Sequence, residues 1–369
     1  MDLLPEPFRS IIAFILVLGV LVFIHELGHY LAARWRGVHV EVFSIGFGRP
    51  IRQWVDRRGC EWRIAWLPLG GFVKLHGQEG PEEATPEQRA RWRQGETFHD
   101  KPVRDRAIVV AAGPVANFLL AAALFAGLYM TVGQPQPTAT VGTVVENSAA
   151  ARAGLLPGDR ILSLDGAAVS RFEQIQAHIQ PRAGQPVEIR IQRGGQEQSL
   201  RATPDSRASG EATVGVLGIA GGAAEFSRLN PVSALAAGVT QTWDVTVQTL
   251  AGLWQMIAGQ RGTEELGGPL RIAQISGQVA QLGIASLISF MAILSVNLAL
   301  INLFPIPVLD GGHLLFYAAE AIRGRPLPPR AIEYGFRAGF ALLIALFIFA
   351  TFNDLSSLGV VRWVSGLVG

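Results

Sequence analysis

The sequence predicts an α-helical polytopic membrane protein interrupted by a small domain rich in β-strands. Of its 369 residues, 49% are hydrophobic and only 16% charged, and the mean hydropathy is +0.31. Four segments, residues 10–33, 107–132, 284–310 and 338–352, are apolar enough to cross a hydrocarbon core of about 30 Å, the last only if its flanks contribute. Between the second and third segments the pattern changes to short alternating runs separated by Gly and Pro, as in a water-soluble sheet. A net charge of +2 is too balanced to argue for a nucleic-acid partner, and Cys60, the single cysteine, permits no disulfide within the chain.

The first span carries His25-Glu-Leu-Gly-His29 inside its apolar run. Two imidazoles four apart lie on one helix face and can share a zinc ion, and the intervening Glu26 is placed to act as a base on water at that metal. Ionisable groups at membrane depth cost several kcal/mol, so they mark function more often than packing. No small-residue cleavage site follows the run, so this segment is expected to be a retained span rather than a signal peptide. Arg34, Arg36, Lys101, Arg104 and Arg106 flank the first connection and Arg323, Arg325, Arg330 and Arg337 the third, whereas the outer ends carry chiefly Arg9 and Arg362. The positive-inside rule makes those two connections cytoplasmic and places both termini and residues 134–284 across the membrane, in the periplasm of a Gram-negative cell.

Four regions follow: an N-terminal membrane half (1–133), a periplasmic domain (134–224), a periplasmic or interfacial helical linker (225–283) and a C-terminal membrane half (284–369). Pro135 and Pro137 open the second as a linker, and strands are expected near 139–145 and 187–192, with a turn at Gly194-Gly195. The run from Asn147 through Ala153-Gly-Leu-Leu-Pro-Gly-Asp159 to Asp165-Gly166 resembles the bacterial PDZ signature. By that resemblance the helix is 171–180, and Gly215, Val216, Leu217, Gly218 and Ile219 border a groove that takes an extended peptide as an added strand. A lid that packs on the membrane part is equally compatible with the resemblance. Residues 231–260, with Trp243, Asp244 and Trp254 in a weakly charged pattern, suit a helix lying along the interface.

Two histidines leave a catalytic zinc one ligand short. Asp310 stands among apolar residues behind Pro305 and Pro307 and before Gly311 and Gly312, a composition that interrupts a regular helix. With four spans, the first and third run the same way, so His25, His29 and Asp310 fall at comparable depth. Glu41 and Glu320 are weaker candidates because both lie near charged loops. Asn117, after Gly113-Pro114, either braces the site or bonds across helices; His313 either supports a ligand or sits at the interface. His39, His76, His99 and His178 read as ordinary surface residues, and Cys60 as a reduced thiol in a cytoplasmic loop.

His25-Glu-Leu-Gly-His29, Leu309-Asp310-Gly311 and a PDZ domain between two membrane halves resemble the site-2-protease family of intramembrane zinc metalloproteases. Phe43-Ser-Ile-Gly-Phe-Gly48, Pro68-Leu-Gly-Gly-Phe-Val-Lys74, Ala112-Gly-Pro-Val-Ala-Asn-Phe118 and Asn302-Leu-Phe-Pro-Ile-Pro307 extend the likeness over nearly the whole chain. The resemblance implies about four transmembrane helices, a membrane-associated β element and an inserted α+β PDZ domain. It implies His25, His29 and Asp310 as ligands of Zn2+ and Glu26 as general base and acid. It further implies Asn302 as a contact to the substrate backbone or the developing oxyanion. Gly46, Gly48, Gly70 and Gly71 then belong to the β element, which pairs with an unwound substrate strand. The implied activity is endopeptidase cleavage within single-pass membrane proteins in the cell inner membrane. Substrates would include a trimmed anti-sigma factor, in sigma factor signalling and stress response, and remnant signal peptides. A non-catalytic PDZ membrane adaptor would show decay of a catalytic residue, and a metal transporter would show repeated halves; neither is seen. Relatives of the most similar type often carry two PDZ domains in tandem, and the stretch from Gly222 to Pro231 has no room for a second.

Overall fold

The computed structural model describes residues 6–79, 84–136, 138–209, 212–222, 225–262 and 267–357; Pro137 and Arg362 lie outside them. They form two compact units, one from the described residues up to Leu128 and from Asn230 onward and the other from those between Tyr129 and Leu229.

In the first unit the helices are α1 (Glu6–Trp35), α2 (Pro86–Ala90) and α3 (Val103–Thr131), then, beyond the second unit, α6 (Pro231–Ile257), α7 (Pro269–Gln281), α8 (Ile284–Leu303), α9 (Asp310–Arg323) and α10 (Pro329–Ser357). Among the described residues, α1, α3, α8 and α10 are long and apolar enough to cross a membrane. The flanks of the fourth segment do contribute: α10 has 29 residues, roughly 43 Å at 1.5 Å per residue. The third segment is shorter than expected. It ends as a helix at Leu303, where Pro305 and Pro307 cannot supply N–H groups to the ladder. Gly311 and Gly312 do not break structure; they form the first turn of α9. A side chain at Gly311 would stand 2.2 Å from the Leu303 carbonyl oxygen, and one at Gly312 would stand 2.5 Å from that of Ile306. These glycines allow a backbone crossing.

Residues 231–257 form the helix α6, which touches two of the spans. Gly238 meets Ala122 and Ala126 of α3, and the Thr249 hydroxyl donates to Asn297 Oδ1 of α8 at 3.1 Å. The eleven residues between these contacts span roughly 16 Å of helix. Small and hydroxyl residues allow such contact where lipid offers no hydrophobic drive for helices to associate. The buried Asp354 of α10 accepts from the backbone N–H groups of Gly268, Leu270 and Arg271, capping α7.

Between α1 and α3 lies a sheet of β1 (Val40–Val55) and β2 (Glu61–Leu75). Each strand bends, so four runs pair side by side in the order 50–55, 61–65, 42–45, 71–75. Gly46 adopts φ +86°, and a Cβ there would stand 2.5 Å from the Leu67 carbonyl oxygen. The sheet is anchored by Phe43, fully buried and stacked on Trp62 at 4.4 Å. His76 is not the surface residue expected. It is 6% exposed, pairs with Glu41 through Nδ1 at 2.7 Å and accepts the Arg93 N–H at Nε2, tying the end of β2 to the following loop. Cys60, in the turn between β1 and β2, is also buried.

The second unit is α+β. Its strands are β3 (Gln134–Gln136), β4 (Val141–Val144), β5 (Arg160–Leu164), β6 (Ala167–Ala168), β7 (Val187–Arg193), β8 (Gln196–Ala202), β9 (Asp205–Ser209), β10 (Ala212–Val216), β11 (Ile219–Gly221) and β12 (Glu225–Ser227). Its helices are α4 (Ala149–Arg152) and α5 (Phe172–Ile179). A sheet of order β6-β5-β7-β8 covers a core of Leu155, Ile161, Leu164, Ile175, Ile179, Val187, Ile189 and Ile191. Residues around Pro135 are not a free linker: β3 pairs with β12, joining the entry and exit of the unit. Asp159, 1% exposed, accepts from Arg193 at 2.7 and 2.6 Å, and this pairing holds its carboxyl below the usual range against the opposing effect of burial.

The close approach of α1 and α3 rests on Gly28, where a Cβ would lie 2.3 Å from the Ala112 carbonyl oxygen. Gly28→Leu is expected to lower the thermal midpoint of the detergent-solubilised protein. Gly19→Leu, in open space on the same helix, is expected to leave that midpoint unchanged.

Candidate metal centre

His25 and His29 project from one face of α1, and Asp310 reaches them from the start of α9. His25 Nε2 and His29 Nε2 lie 3.2 Å apart, and Asp310 Oδ2 lies 3.1 Å and 3.5 Å from them. These three are the metal-binding cluster found among the described residues, all ligand atoms lying within 4.8 Å of one another. Asp310 Oδ2 is buried and accepts no well-formed hydrogen bond although both imidazoles face it. Three ligand atoms converging on one point are the pattern a divalent cation satisfies, and two His with one carboxylate suit zinc with one position left open.

The partners behind the imidazoles agree with this. His29 Nδ1 donates to the Val109 carbonyl at 2.9 Å, so Nε2 presents its lone pair toward Asp310. Asn117, fully buried, has its amide 3.3 Å from His25 Nδ1, while its Oδ1 has no partner. A metal held at His25 Nε2 requires a proton on Nδ1, and the amide accepts it by turning its oxygen to the ring. Asn117 is fixed in turn: its backbone carbonyl accepts the Ser295 hydroxyl of α8 at 2.8 Å. Asn117 thus touches His25 through its side chain, while only its backbone bonds across to α8.

A cavity of about 320 Å³ opens beside the triad, lined by His25, Glu26, His29, Gly71, Asn302, Asp310 and His313 among others. Asn302 donates one amide hydrogen to Leu298 of its own helix at 3.0 Å. Of the four glycines expected near substrate, only Gly71 borders this cavity. A Cβ on it would press within 3.0 Å of Glu26 Cγ, so the strand lies against the glutamate. Gly46, Gly48 and Gly70 instead hold positive φ where the sheet bends. Glu41 pairs with Lys74 and His76, and Glu320 with Arg106 at 2.7 Å, so neither joins the triad. In the second unit Gly215, Val216, Leu217, Gly218 and Ile219 line a cavity of about 140 Å³ against Phe172, Ile175 and Ile179 of α5.

Sequence reasoning missed three contributors. Val109 acts through its carbonyl, which no side chain advertises. Gly113 leaves the space in which both imidazoles sit; a Cβ would stand 2.3 Å from His29 Nε2. Val308, two residues before Asp310, adopts φ +97°, a strained conformation for a β-branched residue that costs about 1–3 kcal/mol and clusters at functional sites. The Gly113-Pro114 pair within a span was the visible signal for the second.

The sequence pattern of peptidase family M50 matches residues 13–346, from the first span to the last. The chain belongs to this family. It is 42% identical over 361 residues to "Putative zinc metalloprotease R01501" of Rhizobium meliloti, covering 94% of this chain and 96% of that one. It is 38% identical to "Metalloprotease MmpA" of Caulobacter vibrioides, covering 97% and 98%. Among solved structures, the PDZ domain of an SdrC-like protein of Listeria monocytogenes is similar at 25% identity, covering 22% of this chain and 84% of that one with a TM-score of 0.19. The HtrA-type protease AlgW with a decapeptide is 35% identical over 19% of this chain and 22% of that one, with a TM-score of 0.18. The M50 chain is thus a zinc metalloendopeptidase and an integral membrane protein.

Because Gly113 provides the room for the M50 imidazoles, Gly113→Ala is expected to lower bound zinc well below one per chain, measured by metal analysis, with helix content unchanged by circular dichroism. Gly127→Ala, in open space on the same helix, is expected to keep its zinc.

Proposed function

We propose that this M50 protein is an intramembrane endopeptidase that cleaves transmembrane segments of single-pass membrane proteins, with His25, His29 and Asp310 as zinc ligands and Glu26 as general base and acid. The observation that carries the reading is the position of the metal cluster. Two of its members lie within α1, a helix long and apolar enough to cross a membrane, and the edge of β2 at Gly71, Phe72 and Val73 lines the same cavity.

A transmembrane helix hides its scissile carbonyl in its own hydrogen-bond ladder, and unwinding it in lipid leaves polar backbone groups unpaired at several kcal/mol each. The free edge of the 71–75 run supplies those partners by strand addition. Gly71 lets the added strand come close to Glu26, with no side chain between. Zinc held by the triad supplies Lewis acidity toward a carbonyl oxygen and lowers the pKa of water. Glu26 takes the proton of the attacking water and later delivers it to the leaving amine. Asn302 keeps one amide hydrogen free of its own helix and can offer it to the carbonyl oxygen as charge develops there. Asn117 and the Val109 carbonyl orient the imidazoles from behind.

The arginines flanking the first and third connections support a cytoplasmic site and a periplasmic second unit in the cell inner membrane of a Gram-negative bacterium. A substrate whose outer part has already been trimmed fits that arrangement, such as an anti-sigma factor in stress signalling, or a remnant signal peptide. We assign the groove between α5 and residues 215–219 to an extended peptide.

Cleavage of a trimmed single-pass substrate by purified protein in detergent, with products mapped by mass, is expected to show a cut within the apolar segment. Glu26→Gln is expected to keep one zinc per chain while cleavage falls about 10²–10⁴-fold; undiminished cleavage would remove Glu26 as the base. Asp310→Ala is expected to lose both zinc and cleavage, and a full zinc content in that variant would remove Asp310 from the ligands. No cut by folded, zinc-loaded protein across several helix-destabilised substrates would favour a peptide-binding adaptor instead.

A further inference from the structure

Away from the metal centre, the end of α1 borders a second cavity of about 250 Å³, lined by Arg34, Gly37, Val38, His39, Arg58, Arg93 and Glu96. Three arginines and a histidine thus line it together with a single acidic residue. Glu96 is already engaged, 3.4 Å from Arg93. Asp56, the acid two residues before Arg58, has its carboxylate occupied by the Tyr30 hydroxyl, the Trp62 indole and the backbone N–H groups of Arg58 and Cys60. Among the described residues, neither Arg34 nor Arg58 has a carboxylate partner. His39, which bonds Glu96 through its backbone and lies 3.5 Å from Arg93 Nη1, is held below the ordinary histidine range by burial and by Arg93, His76 and Arg34 around it. The cavity therefore carries uncompensated positive charge, and a neutral imidazole able to hydrogen-bond.

Its placement adds to the case. Arg34 belongs to the last turn of α1, and the neighbouring Trp35 is 72% exposed at the end of that span. An exposed tryptophan beside arginines at the end of an apolar helix marks the depth of lipid headgroups. The helix C-terminus contributes about half a negative charge here, which argues against an anion, but three guanidiniums outweigh it. Guanidinium forks match phosphate oxygens in pairs.

We propose that this cavity is a phosphate-binding site, taking the phosphate of an anionic lipid headgroup or a free phosphate. The group would bridge the end of α1 through Arg34, the 57–59 turn of the sheet through Arg58, and the following loop through Arg93. Those three pieces set where the β1–β2 sheet stands relative to α1, so occupancy ties the sheet to the span.

The test uses full-length, delipidated protein in detergent, measuring by native mass spectrometry the retention of phosphatidylglycerol against phosphatidylcholine, with and without inorganic phosphate. Wild type is expected to prefer phosphatidylglycerol and to melt at higher temperature with it. Arg58→Gln/Arg93→Gln is expected to weaken that binding about 100-fold, roughly tenfold per guanidinium lost. Arg49→Gln/Arg52→Gln removes equal charge outside the cavity and is expected to change it less than about twofold. Glu96→Gln, which removes the opposing carboxylate, is expected to tighten it. Retention unaffected by inorganic phosphate assigns the site to lipid; phosphate that binds in the absence of lipid and displaces it assigns the site to the free anion. Equal weakening by the two double variants, or no preference for phosphatidylglycerol together with no binding of phosphate, would overturn the proposal.

Discussion

Two imidazoles and a carboxylate brought within a few ångströms of one another, inside helices built for lipid, constrain everything else in the membrane unit. Such groups are expensive to desolvate, and the carboxylate oxygen that faces both rings has no well-formed hydrogen bond among protein atoms. A cation resolves that conflict, which makes the folded state of this region dependent on its ligand geometry. The ladder of α8 stops before Asp310 for the same reason. Only a chain freed from the helix at Pro305 and Pro307 can turn back over itself and start α9 with a carboxylate pointed at α1.

The cost of that arrangement is met by small residues. Gly28, Gly113, Gly311 and Gly312 each stand where a Cβ would come closer than 3 Å to backbone or to an imidazole. They let three backbones approach so that Asn117, Val109 and Ser295 can secure the histidines from behind. In lipid, where apolar side chains gain nothing by leaving the solvent, close packing and buried polar contacts are the means of association. Gly71 extends the same logic to the sheet, whose edge strand lies against Glu26 because it has no side chain there.

The inserted unit follows the rules of water-soluble packing. Its strands alternate, its core is aliphatic, and its buried Asp159 is satisfied by a bidentate arginine. The contrast explains why the two units were legible to different degrees. Alternation located β4 and β7, and the resemblance to the PDZ signature pointed to the strand ending at Asp165-Gly166 and to the helix α5, whereas uniform hydropathy in the membrane unit located spans but said nothing of which faces meet. The helix α6 shows the limit. Its tryptophans and single charge suggest an interfacial helix but do not foretell that Gly238 meets α3 and Thr249 meets α8, because small and hydroxyl residues can be read as packing residues only once their neighbours are known.

By itself the sequence determined the number of spans, the two-histidine face with its glutamate, and the aspartate that could complete it. Each of these follows from local periodicity or from a charge whose presence in lipid demands a reason. Tertiary structure alone decided that Asp310 reaches the histidines and Glu320 and Glu41 do not, that Val109 offers a carbonyl and Gly113 an empty space, and that His76 is buried. It also decided that Gly71, among four glycines, borders the cavity. Those outcomes depend on backbone atoms and missing side chains meeting across helices far apart in the chain, and no residue type records such a meeting in advance.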